Sequence, residues 1–289
     1  MKNEEQICRA ALAGNSEELL HTYEKRAAYI RELVYAVANG YGSSRLQDAP
    51  SLFDTCVKDV YTAGSSYVPR LNGAFDANDR VLTALYLREV LFPSSGLSSY
   101  IQSHEKQIGR PGRIEYFKGP AADRAFDAFA KRIHDPSILY GADFSSVCEG
   151  VYYGRSEYCI LPLATSADGR LAGFYELAEK YELTGVDECS VSFADTDTRF
   201  VLFSSHLPEY GSDAALKLEL KVPHGAYLSD VLFAAKLNGA ECAAADSLPS
   251  GFGLSDLLTF IGKSDDLCGL LFYLQCAEIN YDVSGVFFV

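Results

Sequence analysis

The feature that most limits what this chain can become is a change of hydrophobic period at Ile108-Gly-Arg-Pro-Gly-Arg113. Glycine leaves the backbone free and proline removes a hydrogen-bond donor, so this run interrupts any regular element and reads as a linker. Before it, Leu19, Leu20, Tyr23, Ala27, Ile30, Leu33, Val34 and Val37 recur at three and four positions, the spacing of one helix face. Asn15-Ser16 is an N-cap signal and Asn39-Gly40 a stop. Pro50-Ser51 opens a second helix to about Ala63, and a third spans Asn78 to Leu91. The expectation for residues 1–107 is a helical bundle.

After the break, short strands alternate with helices. Ile114–Phe117, Ser137–Tyr140, Tyr158–Leu161 and Arg199–Phe203 read as strands. Helices fit Ala122–Ile133, Phe144–Tyr152 and Leu171–Lys180, which gives an α/β layer over residues 113–205. Residues 214–289 then read as strand Leu216–Val222, helix Tyr227–Asn238, strand Glu241–Asp246, strand Leu257–Ile261, helix Asp265–Cys276 and strand Val283–Val289. That order, βαββαβ, is the ferredoxin-like unit. The fold class is therefore multidomain, α followed by α/β.

Composition removes several functions. With 48% hydrophobic and 22% charged residues the chain is globular in character, and it has no long uncharged apolar run to span a membrane. A net charge of -14 without a basic cluster argues against nucleic-acid partners. The eight cysteines are scattered, with no CxxC pair and no histidine at ligand spacing, so no metal and no cofactor is expected. The acidic start MKNEEQ lacks the basic and apolar stretches of a signal peptide, and the expected location is cytoplasmic. An anionic substrate would need local arginines to hold it.

Two short runs carry candidate chemistry. Thr165, Ser166 and Gly169 fall just beyond the carboxyl end of a buried strand, where open α/β sheets bind ligands; spacing alone favours a plain strand-to-helix turn. Thr198 beside Arg199 pairs a hydroxyl with a permanent cation, a combination able to hold a carboxylate and donate a proton, though a strand start often reads the same way.

Together these runs resemble prephenate dehydratase. Pro162, Ser166 and Gly169 fall in register with that family's central motif, and Thr198, Arg199 and Phe200 match its Thr-Arg-Phe signature. Gly119-Pro120 is similar to its first loop, and Phe144 with Val147 and the stretch to Gly154 to its second helix. The resemblance implies conversion of a prephenate-like substrate to phenylpyruvate, in phenylalanine biosynthesis. Thr198 would be the proton donor, Arg199 its anchor or a carboxylate ligand, and Ser166 and Thr165 substrate contacts. Ala164-Thr165 stands where the family has Glu-Asn, and only about ninety residues separate Arg113 from Ser204, which implies that most of one of the family's two lobes is missing.

The flanking segments extend the resemblance. The amino-terminal part is similar to a helical chorismate mutase, with Arg9 and Arg26 at the spacing of two substrate-binding arginines; Val37 stands where the site's lysine would be. The carboxyl-terminal part resembles an ACT domain. Its Gly225, Ala226, Tyr227 and Leu228 match one effector-binding loop, and Asp246 and Ser247 begin the other, with Leu248 replacing an arginine. That implies phenylalanine as effector and a homodimer. The competing expectation is a catalytically inactive paralogue that acts as a phenylalanine-sensing or regulatory binding protein.

Overall fold

The computed structural model describes residues 25–28, 30–32, 34–36, 58, 77–91, 96, 97, 100, 109–225, 228–250 and 253–289. Arg9, Val37, Ala226, Tyr227 and the expected helix from Ser51 to Ala63, apart from Lys58, lie outside these residues. The first elements are α1 (Ala77–Leu91), β1 (Arg113–Phe117), α2 (Pro120–Ala130), β2 (Ser137–Gly141), α3 (Phe144–Tyr152), β3 (Tyr158–Thr165), β4 (Gly169–Arg170) and α4 (Ala172–Lys180). They are followed by β5 (Thr184–Phe193), β6 (Thr196–Ser204), β7 (Ala215–Pro223), α5 (Leu228–Leu237), β8 (Glu241–Ser250), β9 (Gly253–Lys263), α6 (Ser264–Cys276) and β10 (Asp282–Phe288).

Two compact units form: Met1–Tyr100 with Tyr227–Cys242 and Gly262–Asn280, and Ile101–Ala226 with Ala243–Ile261 and Tyr281–Val289. In the first, α1, α5 and α6 pack together, burying Val81, Leu82 and Leu87 with Val231, Ala234, Leu267 and Leu270. Arg88 on α1 reaches Asp265 at 2.6 Å. Ala27, Ile30 and Val34, from the helical segment expected near the amino terminus, are buried as well.

The second unit holds a mixed sheet in the order β2-β1-β3-β6-β5-β10-β7-β9-β8, with β4 pairing β3 at one side. Strands β2, β1 and β3 run parallel, and β6 then β5 add antiparallel. Side chains alternate across the sheet, so each strand serves two cores. On one face Ile114, Tyr116, Ile160, Phe200 and Leu202 pack under Ala125 and Phe129 of α2. On the other, Leu161, Leu163, Val201 and Phe203 pack under Val147, Cys148 and Val151 of α3 and Tyr175 and Ala178 of α4. The α/β layer expected after the linker is thus present, with helices on both faces.

The last four strands take the order β10-β7-β9-β8, which in their own sequence is fourth, first, third, second. They join the rest of the sheet through one parallel pair, Gly185 on β5 opposite Gly285 on β10. A Cβ on Gly185 would sit 2.8 Å from Val201 and 3.0 Å from the Phe287 ring, and one on Gly285 would sit 2.3 Å from that ring. Only glycine lets the two backbones close over Phe287.

Two expectations need correction. Strand β3 runs to Thr165 and does not stop at Leu161; its register shifts between Pro162 and Ala164, a bulge that accommodates the missing proline donor. Strand β5 was not expected at all. It forms a hairpin with β6 through Ala194 and Asp195, whose φ values of 50 and 63 make a two-residue turn closed by Phe193 opposite Thr196. Among the described residues no helix is long and apolar enough to cross a membrane.

Candidate functional site

The carboxyl end of β1 and the middle of β3 border a cavity of about 250 Å³. Parallel strands direct their ends there, and the turn into α2 forms one wall with Lys118, Gly119, Pro120, Ala121 and Ala122. The other walls are apolar: Phe117, Phe144, Phe193, Phe200, Ile160 and Pro162. Phe200 and Pro162 face each other as a cross-strand pair, and Phe117 packs on Phe144 with ring centroids 5.2 Å apart.

The α2 turn is the polar part. Gly119 is the N-cap and contributes no capping side chain, and Pro120 has no N–H. The next amides, Ala121 and Ala122, belong to the wall itself and are the orphan donors of a helix start, where an anion is stabilised. Lys118 is the one charged residue of the wall, its Nζ 4.9 Å from the Tyr140 ring centroid. A phenyl ring with a short acidic tail matches this arrangement, since an apolar cavity of about 150 Å³ already holds benzene.

The residues singled out by sequence fall in different places. Thr165 and Thr198 are directly paired across β3 and β6. Thr198 lies on the Phe200 face of the sheet, one alternation beyond it, but outside the cavity wall. Thr165 is engaged by its own turn: its hydroxyl donates to Asp168 at 3.1 Å and accepts from the Asp168 amide at 2.9 Å. Ser166, just past β3, is tied across to β6, its amide donating to the Asp197 carbonyl at 2.8 Å and its hydroxyl accepting from the Asp197 amide at 3.0 Å.

Arg199 points the other way. Adjacent residues of a strand face opposite sides, and its guanidinium enters the face occupied by α4. There it meets Glu188 at 2.7 Å and Glu219 at 2.8 Å, with Tyr175 at 3.4 Å and the Phe287 ring beneath at 5.4 Å. Arg170 completes the cluster, donating to the Tyr175 hydroxyl at 2.8 Å and to Asp246 at 2.6 Å, and Lys217 pairs with Glu188. Burial works against the charge on Arg199, but Glu219 and Glu188 outweigh it and hold its pKa above the ordinary value. Burial likewise opposes the charge on Glu188, and Lys217 and Arg199 overcome it, leaving that carboxyl below its usual range.

The loop residues of the last segment converge elsewhere. The Asp256 carboxylate receives the His224 Nδ1 at 2.7 Å, the Ser247 hydroxyl at 2.9 Å and the Gly225 amide at 3.1 Å. Burial raises its pKa, and these donors reverse the effect and bring it below the ordinary aspartate value. Asp256, Glu219 and Phe193 were not signalled by the sequence. The first two are ordinary acids in strand patterns, and Phe193 belongs to the strand that went unrecognised. In the other unit, Arg26 is bound by the buried Asp79, its Nε 2.7 Å from Oδ1. Among the described residues no group of three or more His, Cys, Asp or Glu is arranged to hold a metal.

No protein-family model matches this chain, and no curated protein matches it. Among solved structures, the prephenate dehydratase of Streptococcus mutans is similar at 17% identity and a TM-score of 0.50, over 61% of this chain and 98% of that one. A prephenate dehydratase in complex with L-Phe from Arthrobacter aurescens is 12% identical with a TM-score of 0.46, over 61% and 90%. A novel type of quorum quenching acylase is 20% identical with a TM-score of 0.45, over 61% and 95%. At this identity the likeness to the first is one of fold: the chain has the mixed α/β fold of a prephenate dehydratase over that span.

Proposed function

We propose that this chain is a binding protein for a single-ring carboxylate with an aromatic or cyclohexadienyl ring, of the class of phenylpyruvate, phenylalanine or prephenate, and that it holds the ligand without converting it. The observation that carries this reading is the division of the Thr-Arg pair between two faces of the sheet. A site that eliminates carbon dioxide and water needs a proton donor and an anion-holding cation preorganised around one substrate. Here the Arg199 guanidinium is held by Glu188 and Glu219 on the face away from the cavity, the Thr165 hydroxyl serves its own turn and the Ser166 hydroxyl accepts from the Asp197 amide of β6. What the cavity retains is the means of binding: four phenylalanine rings, Lys118 and the uncapped start of α2.

Calorimetric titration tests this reading. Phenylpyruvate is expected to bind and acetate, which has the carboxylate but no ring, not to, and Phe193→Ala, in the cavity wall, is expected to weaken phenylpyruvate binding. No heat from any aromatic acid would overturn the reading. Incubation with prephenate is expected to yield no phenylpyruvate.

A second reading, prephenate dehydratase activity, draws on one feature, the Thr198 hydroxyl on the cavity's face of the sheet, with no side-chain hydrogen bond among the described residues. It requires phenylpyruvate to form from prephenate and Thr198→Val to abolish its formation. Chorismate turnover is not expected, since Arg26 is engaged by Asp79. For the remainder we retain three segments, 1–107, 113–205 and 214–289, the last supported as an ACT-like βαββαβ module by the order β10-β7-β9-β8. A homodimer is proposed, to be read by light scattering.

A further inference from the structure

The charges around the cavity narrow what can occupy it. Its wall has one ionisable side chain, Lys118. The rest is glycine, alanine, proline, isoleucine and phenylalanine, whose side chains neither donate nor accept a hydrogen bond. Lys118 forms no ion pair among the described residues, and its Nζ lies over the Tyr140 ring, 4.9 Å from the centroid. The wall therefore offers one positive charge, no negative charge and no neutral side-chain acceptor.

The next charged side chains along α2 lie outside the wall and are engaged elsewhere. Asp123 accepts from the Tyr116 hydroxyl at 2.9 Å. Arg124 donates to the Ser192 carbonyl at 2.9 Å, its guanidinium 5.1 Å from the centroid of the Phe193 ring. An ammonium in the cavity thus finds no carboxylate, and a second carboxylate finds no second cation.

Three acids show what this means, since they share a benzyl group and a carboxylate and differ only at the carbon between them. In 3-phenylpropionate that carbon carries hydrogen, and Lys118 answers the single charge. In phenylalanine it carries an ammonium, which would leave water beside the like charge of Lys118 and near a helix start, where cations are disfavoured. The faces of the phenylalanine rings, the remaining attraction for a cation, are taken by the ligand's own ring. In benzylmalonate it carries a second carboxylate, which must share Lys118 in a chain of net charge -14.

Given the cavity as a site for ring-bearing carboxylates, on which this rests, we propose that it selects monoanions. Arylalkanoates and aryl 2-oxo acids, with one carboxylate and no other charge, are taken; aryl amino acids and aryl dicarboxylates are refused. Phenylpyruvate is then the ligand, while phenylalanine, a zwitterion, and prephenate, a dianion, are discriminated against by charge.

The test titrates the unaltered chain at neutral pH with 3-phenylpropionate, L-phenylalanine and benzylmalonate, following the Ala121 and Phe200 amides by NMR so that binding is read at the cavity. 3-Phenylpropionate is expected to bind roughly tenfold or more tightly than either of the others. Phenylalanine or benzylmalonate shifting these signals at an equal or lower concentration would overturn the proposal. Lys118 is exposed, so Lys118→Gln is expected to fold; in it 3-phenylpropionate weakens and its advantage over phenylalanine narrows. An advantage that stays the same in this variant would show that charge is not its cause, and would also overturn the proposal. If neither these acids nor phenylpyruvate move either signal, the cavity reading falls and the selectivity with it; if they bind in another order, the selectivity alone falls.

Discussion

Replacing Glu219 by glutamine tests how much of the fold depends on charges inside the sheet's α4 face. The Glu219 side chain is 2% exposed and lies 2.8 Å from Arg199 and 3.8 Å from Arg170. Three cations, Arg170, Arg199 and Lys217, are matched by three anions, Glu188, Glu219 and Asp246. Removing one buried anion leaves an uncompensated guanidinium, which costs about 3–5 kcal/mol when the pair is fully buried. Glu188 remains within 2.7 Å of Arg199, which places the expected loss near the lower end, about 3 kcal/mol. In urea that moves the midpoint down by about 1 M at an unchanged slope. Asp246→Asn is the comparison. Its side chain is 46% exposed, and an exposed pair is worth no more than about 1 kcal/mol. A Glu219→Gln loss as small as that of Asp246→Asn would refute the view that this network is structural, and with it the argument that Arg199 is withheld from the cavity.

Gly285→Val is expected to destabilise by about 1–3 kcal/mol through overpacking against Phe287, read by thermal unfolding, with Gly262→Ala, whose nearest neighbour would be 3.3 Å away, as the milder comparison. Because the donors to Asp256 depress its pKa, the folded chain binds fewer protons there than the unfolded one. Its contribution is present above the unfolded aspartate value of about 3.9 and is lost as the pH falls through the lower folded value. The stability difference between the unaltered chain and Asp256→Asn should therefore shrink on acidification, and a difference that grew would reverse the sign of the argument. Ser146→Ala removes one side of the capping box on α3, in which Asp143 accepts from the Ser146 amide at 2.7 Å and the Asp143 amide donates to the Ser146 hydroxyl at 3.1 Å. It is expected to cost about 1 kcal/mol by denaturant titration.

Where local chemistry decides structure, the sequence was enough. Helix α3 begins as expected because Asp143 and Ser146 cap its start, and α2 starts two residues early because Gly119-Pro120 is itself a helix start. Strand β5 was missed because its acids and serines lie opposite β6 in the middle of a sheet, and because its turn uses Ala194-Asp195, which lacks the glycine or asparagine that marks such hairpins. That omission also hid Phe193 and Glu188, so neither the cavity wall nor the anchor of Arg199 could be assembled. The pairing of Arg199 with Glu219 joins strands that meet only once β5 and β10 are placed between β6 and β7.

The division of Thr198 and Arg199 between two faces is implicit in strand geometry alone. Consecutive residues in a strand face opposite sides, so once Arg199 was placed in one, the pair could not act from a single face without a bulge between them. The bulge in this region belongs to the facing strand, between Pro162 and Ala164, and β6 itself keeps a regular alternation from Thr198 to Phe203 against it. Thr198 therefore shares a face with Phe200, and Arg199 with Val201 and Phe203. A bulge engineered into β6 at Arg199 would turn the guanidinium toward the cavity, but it would also take from Glu188 and Glu219 the cation they share and remove the guanidinium from the Phe287 ring. Catalytic geometry and the packing of this sheet are thus in direct conflict at one residue, and the present sequence resolves that conflict in favour of packing.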